Sequence, residues 1–149
     1  MCRIIPFSPS MQDDILSFLA ACLPESGRVF EPAGRHRAYQ DIGNHFEAFF
    51  CLMDKDAMIG TCAIRRINEE ACELKALFLL QSYHGRGLGS QMLEHAVAYA
   101  KSHGYRELYL DTLKTSERAI RLYLRHGFVP TENYNGSVFA DVFLKLSLS

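Results

Sequence analysis

No run of apolar residues in this chain approaches the roughly 18 that a membrane-spanning helix needs. Residues 1–6, MCRIIP, likewise lack the long apolar core of a secretory signal. Excess charge of either sign is missing too, since 16 Lys and Arg stand against 17 Asp and Glu and leave a formal net charge of −1. So balanced a chain has no general pull toward nucleic acid or an anionic membrane, and any anion site must be local. No CxxC pair occurs, and the cysteines are odd in number: Cys2, Cys22, Cys51, Cys62 and Cys72. That argues against a disulfide framework or a zinc site and predicts buried free thiols in a reducing cytosol, hence a cytoplasmic protein. The six histidines show no metal-ligand spacing, so no metal is expected. Internal repeats and low-complexity tracts are also lacking.

What is present is ordinary globular material. The 149 residues, 48% hydrophobic and 22% charged, suit one domain over 1–149 with a core that needs no staples. Residues 3–7 read as a strand. Ser8-Pro9 or Ser10 opens a helix with Ile15, Leu16, Leu19 and Leu23 at helical spacing, and Pro24 stops it. Residues 25–45 are irregular, with a short helix expected near 35–42. Apolar runs at 46–53, 58–67 and 72–80 are separated by short turns, the pattern of an antiparallel meander. After Leu80 the rhythm becomes helix, strand, helix. Leu88, Met92, Leu93, Ala96, Val97 and Ala100 form one apolar helix face, closed by Gly104. Residues 107–113 alternate as a strand, and Thr115 or Ser116 caps a helix carrying Ala119, Ile120, Tyr123 and Leu124 up to Gly127. Last strands are expected around Val129 and over 138–146. The sum is a mixed α/β (α+β) sheet of about seven strands with about four helices, antiparallel in its N-terminal half and with one βαβ crossover.

The loudest motif is His84-Gly85-Arg86-Gly87-Leu88-Gly89, between an apolar strand and an amphipathic helix. Glycines let backbone approach a ligand without a Cβ in the way, and a helix start adds free N–H donors and a positive dipole end. Together these make a pyrophosphate site. A bare turn would need one glycine, not three at alternate positions. A dinucleotide fold asks for G-x-G-x-x-G directly after its first strand and an acidic residue about 20 positions on. Asp111 stands near that offset, but Gly87-Leu88-Gly89-Ser90-Gln91-Met92 lacks the third glycine and the preceding segment is a meander. A P-loop is excluded because no G-K-[ST] follows.

From these residues the chain resembles the GNAT superfamily of acetyl-CoA-dependent N-acetyltransferases. The family's acyl-CoA motif, Q/R-x-x-G-x-G/A, is matched at His84–Gly89 with His84 in the first position. The strand Glu73-Leu-Lys-Ala-Leu77-Phe-Leu79, the upstream Ile59-Gly-Thr-Cys-Ala-Ile-Arg65, the block Leu110-Asp-Thr-Leu113 and the helix from Ser116 through Tyr123 to Gly127-Phe128 follow the pattern in order. The resemblance runs from about Phe46 to the C-terminus. It implies a GNAT-like mixed sheet with a splayed parallel strand pair and the acetyl-CoA motif at its mouth. It would place the pantetheine arm along the strand ending at Leu80, with the acetyl carbonyl on the N–H near Leu77, Phe78 beside it and the pantetheine amide at Leu79. The phosphates would sit on N–H groups of Gly85, Arg86, Gly87, Leu88, Gly89 and Ser90, with the Arg86 charge nearby and His84 at the loop's start. Ser116 stands where the family often has Asn and would also touch the cofactor.

Acetyl transfer needs donors for a developing oxyanion, a neutral amine and a proton for the leaving thiolate. Tyr123 is the candidate general acid, a phenol of pKa about 10 serving a thiol near 8.5. Aromatics at helical spacing are usually core, and only the family pattern lifts Tyr123 above that. Glu73 is the candidate base, and strand alternation puts it on the same sheet face as Leu77 four residues on. Cys62 or Cys72 with His84 forms no legible triad, so direct attack without an acyl-enzyme is expected. The acceptor is a small-molecule amine or a protein or peptide amine, and Arg28, Arg35, His36, Arg37, Arg65 and Arg66 are candidates for a carboxylate on it or for a solvated face. No nucleic-acid or membrane partner is expected, and a homodimer is admitted. The alternative function is a non-catalytic acyl-CoA-binding regulatory module, with a nucleotide-binding oxidoreductase behind it.

Overall fold

Three apolar runs with short turns build the first half of the sheet. In the computed structural model, which describes residues 2–148, they are β2 (Ala48–Asp54), β3 (Ala57–Arg66) and β4 (Ala71–Leu79), each antiparallel to the next. Met1 and Ser149 lie outside the described residues. The N-terminal β1 (Cys2–Pro6) pairs antiparallel with β2. After the crossover through α3 (Leu88–Ser102), β5 (Glu107–Thr112) joins β4 in parallel. β7 (Val142–Ser147) then pairs with β5, and the short β6 (Val129–Pro130) covers its far edge. The sheet order is β1-β2-β3-β4-β5-β7-β6.

Two apolar clusters sandwich this sheet. On one face α3 lays Met92, Leu93, Ala96 and Ala100 against Leu74, Leu108 and Leu110, and α4 (Glu117–Arg125) adds Tyr123. On the other face α1 (Gln12–Cys22) and the single turn α2 (Ile42–His45) cover Phe49, Cys51 and Ala63 with Ile15, Leu19 and Ile42. Buried apolar side chains of this size contribute about 1.5–3 kcal/mol each to holding the layers together. Tyr99 and Tyr105 fix the crossover further, both donating to the Glu47 carboxylate just before β2.

Pattern and structure part at four places. The first helix starts with a 3-10 turn, Pro9–Met11, and tightens into another, Leu23–Ser26, instead of stopping at Pro24. A 3-10 turn over Arg37–Gln40 precedes α2 in the irregular stretch. The last strand begins at Val142, not at 138, because residues 131–141 leave the sheet and Val138 is 87% exposed.

The fourth difference matters most for the site. Ala63 faces Lys75 but Thr61 faces Phe78, so β4 carries one residue more than β3 between those rungs. This bulge sits at Ala76, whose φ of 55° is left-handed. The buried Thr61 Oγ1 donates to the Ala76 carbonyl at 2.7 Å and holds the distortion in place. Alternation is broken there, so Leu77 packs toward the α3 cluster while Ala76 and Phe78 pack toward the α1 cluster. Glu73 pairs across with Arg65 and along with Tyr109, on the face opposite Leu77. The expectation that Glu73 and Leu77 share a face is thereby overturned.

Candidate active site

The parallel pairing of β4 and β5 covers only Ala71↔Glu107, Cys72↔Leu108 and Glu73↔Tyr109. Beyond Glu73 the strands diverge, and β4 keeps an edge toward β5 with no strand on it. A cleft of about 780 Å³ opens at this fork. Its walls are the end of β4 at Leu77, Phe78 and Leu79, the glycine loop, the cleft-facing side of α4, and the turn carrying Cys22, Glu25, Ser26 and Arg28.

Of the residues expected to hold a cofactor, Leu77, Phe78, Leu79, His84, Gly85, Gly87, Leu88, Gly89, Ser90 and Ser116 all line this cleft. Gly85 and Gly87 have φ of 82° and 76°, and a Cβ built on either would meet no protein atom within 4 Å. The glycines therefore shape empty space, which is what a ligand cradle requires and a packed turn does not. Gly87 caps α3 without a side-chain bond, leaving first-turn N–H groups of a 15-residue helix free for an anion. The residues present thus fit a pyrophosphate.

Two motif side chains turn elsewhere. His84 Nε2 lies 3.0 Å from the Leu79 carbonyl, which can only accept, so the imidazole ties the loop to the end of β4. The Arg86 guanidinium lies over the Tyr83 ring at 4.9 Å and near the Ser82 carbonyl, and Arg86 is not among the cleft-lining residues. Ser116 is the N-cap of α4 but makes no capping bond; its Oγ accepts from Arg28 Nη2 at 2.6 Å instead.

The two proposed catalytic side chains sit behind the lining. Tyr123 is 6% exposed, its ring tilted against Phe128 at 5.7 Å. Its hydroxyl has no hydrogen-bond partner among the described residues, yet no buried side-chain polar atom there goes unpaired, so the hydroxyl itself touches solvent. Burial pushes the phenol well above its ordinary pKa, and the nearby Arg28 charge opposes this. Glu73, 3% exposed, stands at the last rung before the fork. It accepts from Tyr134 Oη at 2.5 Å and Asn135 Nδ2 at 3.0 Å, with Lys75 Nζ at 3.9 Å. Asn135 also donates to Asp111 at 2.6 Å, and Tyr134 leans on Tyr109 at 4.8 Å. The 131–141 segment thus closes over the face of the fork away from α3. No strand pattern announces that segment, and sequence reasoning passed over Tyr134 and Asn135.

Four of the five cysteines are buried and kept as thiols. Burial raises the thiol of Cys22, which lines the cleft, to about 11, and those of Cys51, Cys62 and Cys72 to about 12. Cys62 Sγ points to the Met92 carbonyl and Cys72 Sγ to that of Glu107, neither toward His84. Among the described residues no three His, Cys, Asp or Glu side chains gather as a metal site, and no helix is long and apolar enough to cross a membrane.

An open mixed sheet of seven strands, split at one parallel pair beside a glycine loop that opens a helix, defines a mixed α/β fold with an anion cradle at its fork. The chain belongs to the GNAT acetyltransferase family, whose model matches residues 13–128. An uncharacterized N-acetyltransferase of Dictyostelium discoideum is 37% identical over 79 residues, 52% of this chain and 37% of that protein. This chain spans about half or less of the curated relatives it first matches. An acetyltransferase of the GNAT family from Staphylococcus aureus Mu50 has the same fold, with a TM-score of 0.91 at 17% identity over 100% of both chains. A GNAT family acetyltransferase from Elizabethkingia anophelis, solved with acetyl-CoA bound, gives 0.71 at 17% identity over 98% of this chain and 97% of that one.

Proposed function

We propose that this protein transfers an acetyl group from acetyl-CoA to a primary amine of a small molecule, peptide or protein, by direct attack of the amine. The observation that carries this reading is the fork itself, with an unpaired strand edge between an anion cradle and a carboxylate. Acetyl-CoA, when bound, supplies the activated acyl group. The N–H groups from Gly85 to Ser90 hold its pyrophosphate, and the β4 edge at Leu77 and Leu79 takes the pantetheine arm as an added strand. The N–H near Leu77, turned by the Ala76 bulge, polarises the acetyl carbonyl. Ser116 adds a hydroxyl at the α4 end.

Tyr123 donates to the departing sulfur. Its hydroxyl has no hydrogen-bond partner among the described residues and is open to donate to that sulfur, while burial, which raises the phenol, opposes full transfer and favours stabilisation of the thiolate through the hydrogen bond. Glu73 receives the ammonium proton, directly or through a water. Its place at the fork, on the face away from Leu77, suits an acceptor that enters opposite the cofactor arm. Tyr134 and Asn135 hold the carboxylate in place, so the amine displaces one donor to reach it. The four buried thiols support direct attack and agree with a cytoplasmic setting.

A second reading, a non-catalytic acyl-CoA-binding module, is favoured by one observation: neither Tyr123 nor Glu73 lines the cleft. A panel of amines incubated with acetyl-CoA separates the two, reading free thiol release and the mass of the acetylated product. Binding of acetyl-CoA with no product from any amine would select the module.

A further inference from the structure

Lys75 stands on β4 between Glu73 and Leu77, and strand alternation puts Glu73 and Lys75 on one face. Its rung partner Ala63 packs in the α1 cluster, which makes that face the one away from α3. From there Lys75 Nζ stands 3.9 Å from Glu73 Oε2 and 4.0 Å from Asp111 Oδ1. Asp111 lies on β5 beyond Tyr109, where the parallel pairing ends. The Lys75 ammonium therefore reaches from β4 toward β5 where the two strands have parted, in the gap of the fork itself.

The two carboxylates form one acidic seat. Asn135 Nδ2 donates to both, at 3.0 Å to Glu73 and 2.6 Å to Asp111. The Asp111 charge also acts on the Tyr123 phenol, so the seat and the phenol border the same gap. Both Nζ distances exceed hydrogen-bond range, so charge alone holds this ammonium, at the end of a flexible four-carbon stem. An outside amine brought to Glu73 must take the place that Lys75 already fills.

Resting on the acetyl-CoA reading, we propose that Lys75 is a self-acetylation site, the chain's own amine occupying the acceptor position. The Lys75 ammonium gives one proton to Glu73 and becomes an amine. Its Nζ lone pair attacks the thioester carbonyl carbon, so that a C–N bond forms and the C–S bond breaks, its electron pair leaving on sulfur. A second proton leaves the nitrogen and ends on the sulfur, which Tyr123 stabilises by hydrogen bonding. The products are an amide at Nζ, free CoA and a proton that Glu73 returns to water. Acetylation by random encounter in solution would choose otherwise. Lys55, Lys101 and Lys114 are exposed, and the Lys145 side chain is 41% exposed against 28% for Lys75. A preference for the least accessible amine thus points to the fork as its cause.

Incubating the full chain with acetyl-CoA and mapping acetyl groups by peptide mass spectrometry tests this without any added acceptor. Lys75 should be acetylated about tenfold or more faster than Lys55, Lys101, Lys114 or Lys145, because proximity makes the step intramolecular. Its rate constant should not change when the protein is diluted. Intact mass should show one acetyl group added to wild type and none to Lys75→Arg, which keeps the charge at the seat. Glu73→Gln should slow the modification, and alkaline solution should return part of the rate. Lys75 left unmodified in a chain that binds acetyl-CoA by calorimetry would overturn the proposal alone. So would acetylation no faster than that of the exposed lysines, or a rate constant that rises with protein concentration. Failure of the folded chain to bind acetyl-CoA would instead overturn the acetyl-CoA reading, and this site with it.

Discussion

Arg28 donates from Nη2 to Ser116 Oγ at 2.6 Å, joining positions 88 residues apart across the mouth of the cleft. The guanidinium also lies 5.7 Å from the centre of the Phe78 ring. A loop residue thus bridges the N-terminal segment to the start of α4. In a double-mutant cycle of Arg28→Met and Ser116→Ala, denaturation should return a coupling of about 1 kcal/mol, the range for a partly exposed charge-assisted bond. Additive losses would mean the bridge holds nothing.

Thr61→Val keeps shape and removes the donor to the Ala76 carbonyl. The carbonyl is then left buried without its partner, at a cost of about 1–3 kcal/mol. Ala76, held at a φ of 55° that alanine adopts reluctantly, should relax. Thermal melting should show the loss, and acetyl-CoA affinity should fall with it because the bulge aims the β4 edge.

Gly87→Val should leave a folded protein with acetyl-CoA binding weakened about tenfold or more. Left-handed backbone at 76° costs a β-branched residue about 1–3 kcal/mol. The new side chain meets no protein atom, so what it crowds is the ligand. Unchanged affinity by calorimetry would reduce the loop to a turn.

Tyr123→Phe keeps the ring on Phe128 and removes the proton. The rate kcat should drop roughly 10²-fold with the acetyl-CoA KM little changed, and higher pH should not restore it. Stability should hardly move, since the hydroxyl has no partner among the described residues. Glu73→Gln should behave oppositely in pH, because alkaline solution supplies free amine and returns part of the rate. Matching wild-type pH–rate profiles in both variants would remove both side chains from the chemistry.

Burial raises four thiols from 9 to about 11 or 12, so the folded chain keeps protons there that the unfolded chain releases. Stability therefore falls as pH rises from about 9 toward 12 and is unaffected by these groups below that window. Melting temperature measured from pH 8 to 11 should decline, and replacing Cys51 with Ala should flatten part of the slope.

The glycine triplet was legible because it is a local demand on backbone, and the β5 alternation because one face is buried. Helix starts and stops were blurred where 3-10 turns flank α1. The Ala76 bulge left no trace in sequence: no glycine marks it, and its cause, Thr61, lies on the neighbouring strand. The same holds for Arg28 with Ser116, and for Tyr134 with Glu73, pairs formed by the tertiary fold alone. Side-chain direction across β4 was misread for that reason, while the motif positions along the chain were not.

An unpaired sheet edge usually lies at the rim of a protein, where it invites another chain to add on. Here the divergence of β4 from β5 moves such an edge to the interior, recessed between the glycine loop and α4. Whatever pairs with that edge completes the sheet as well as being recognised by it. A ligand in the fork is thus also a piece of architecture, and its departure leaves behind a slot with the hydrogen-bonding appetite of a missing strand.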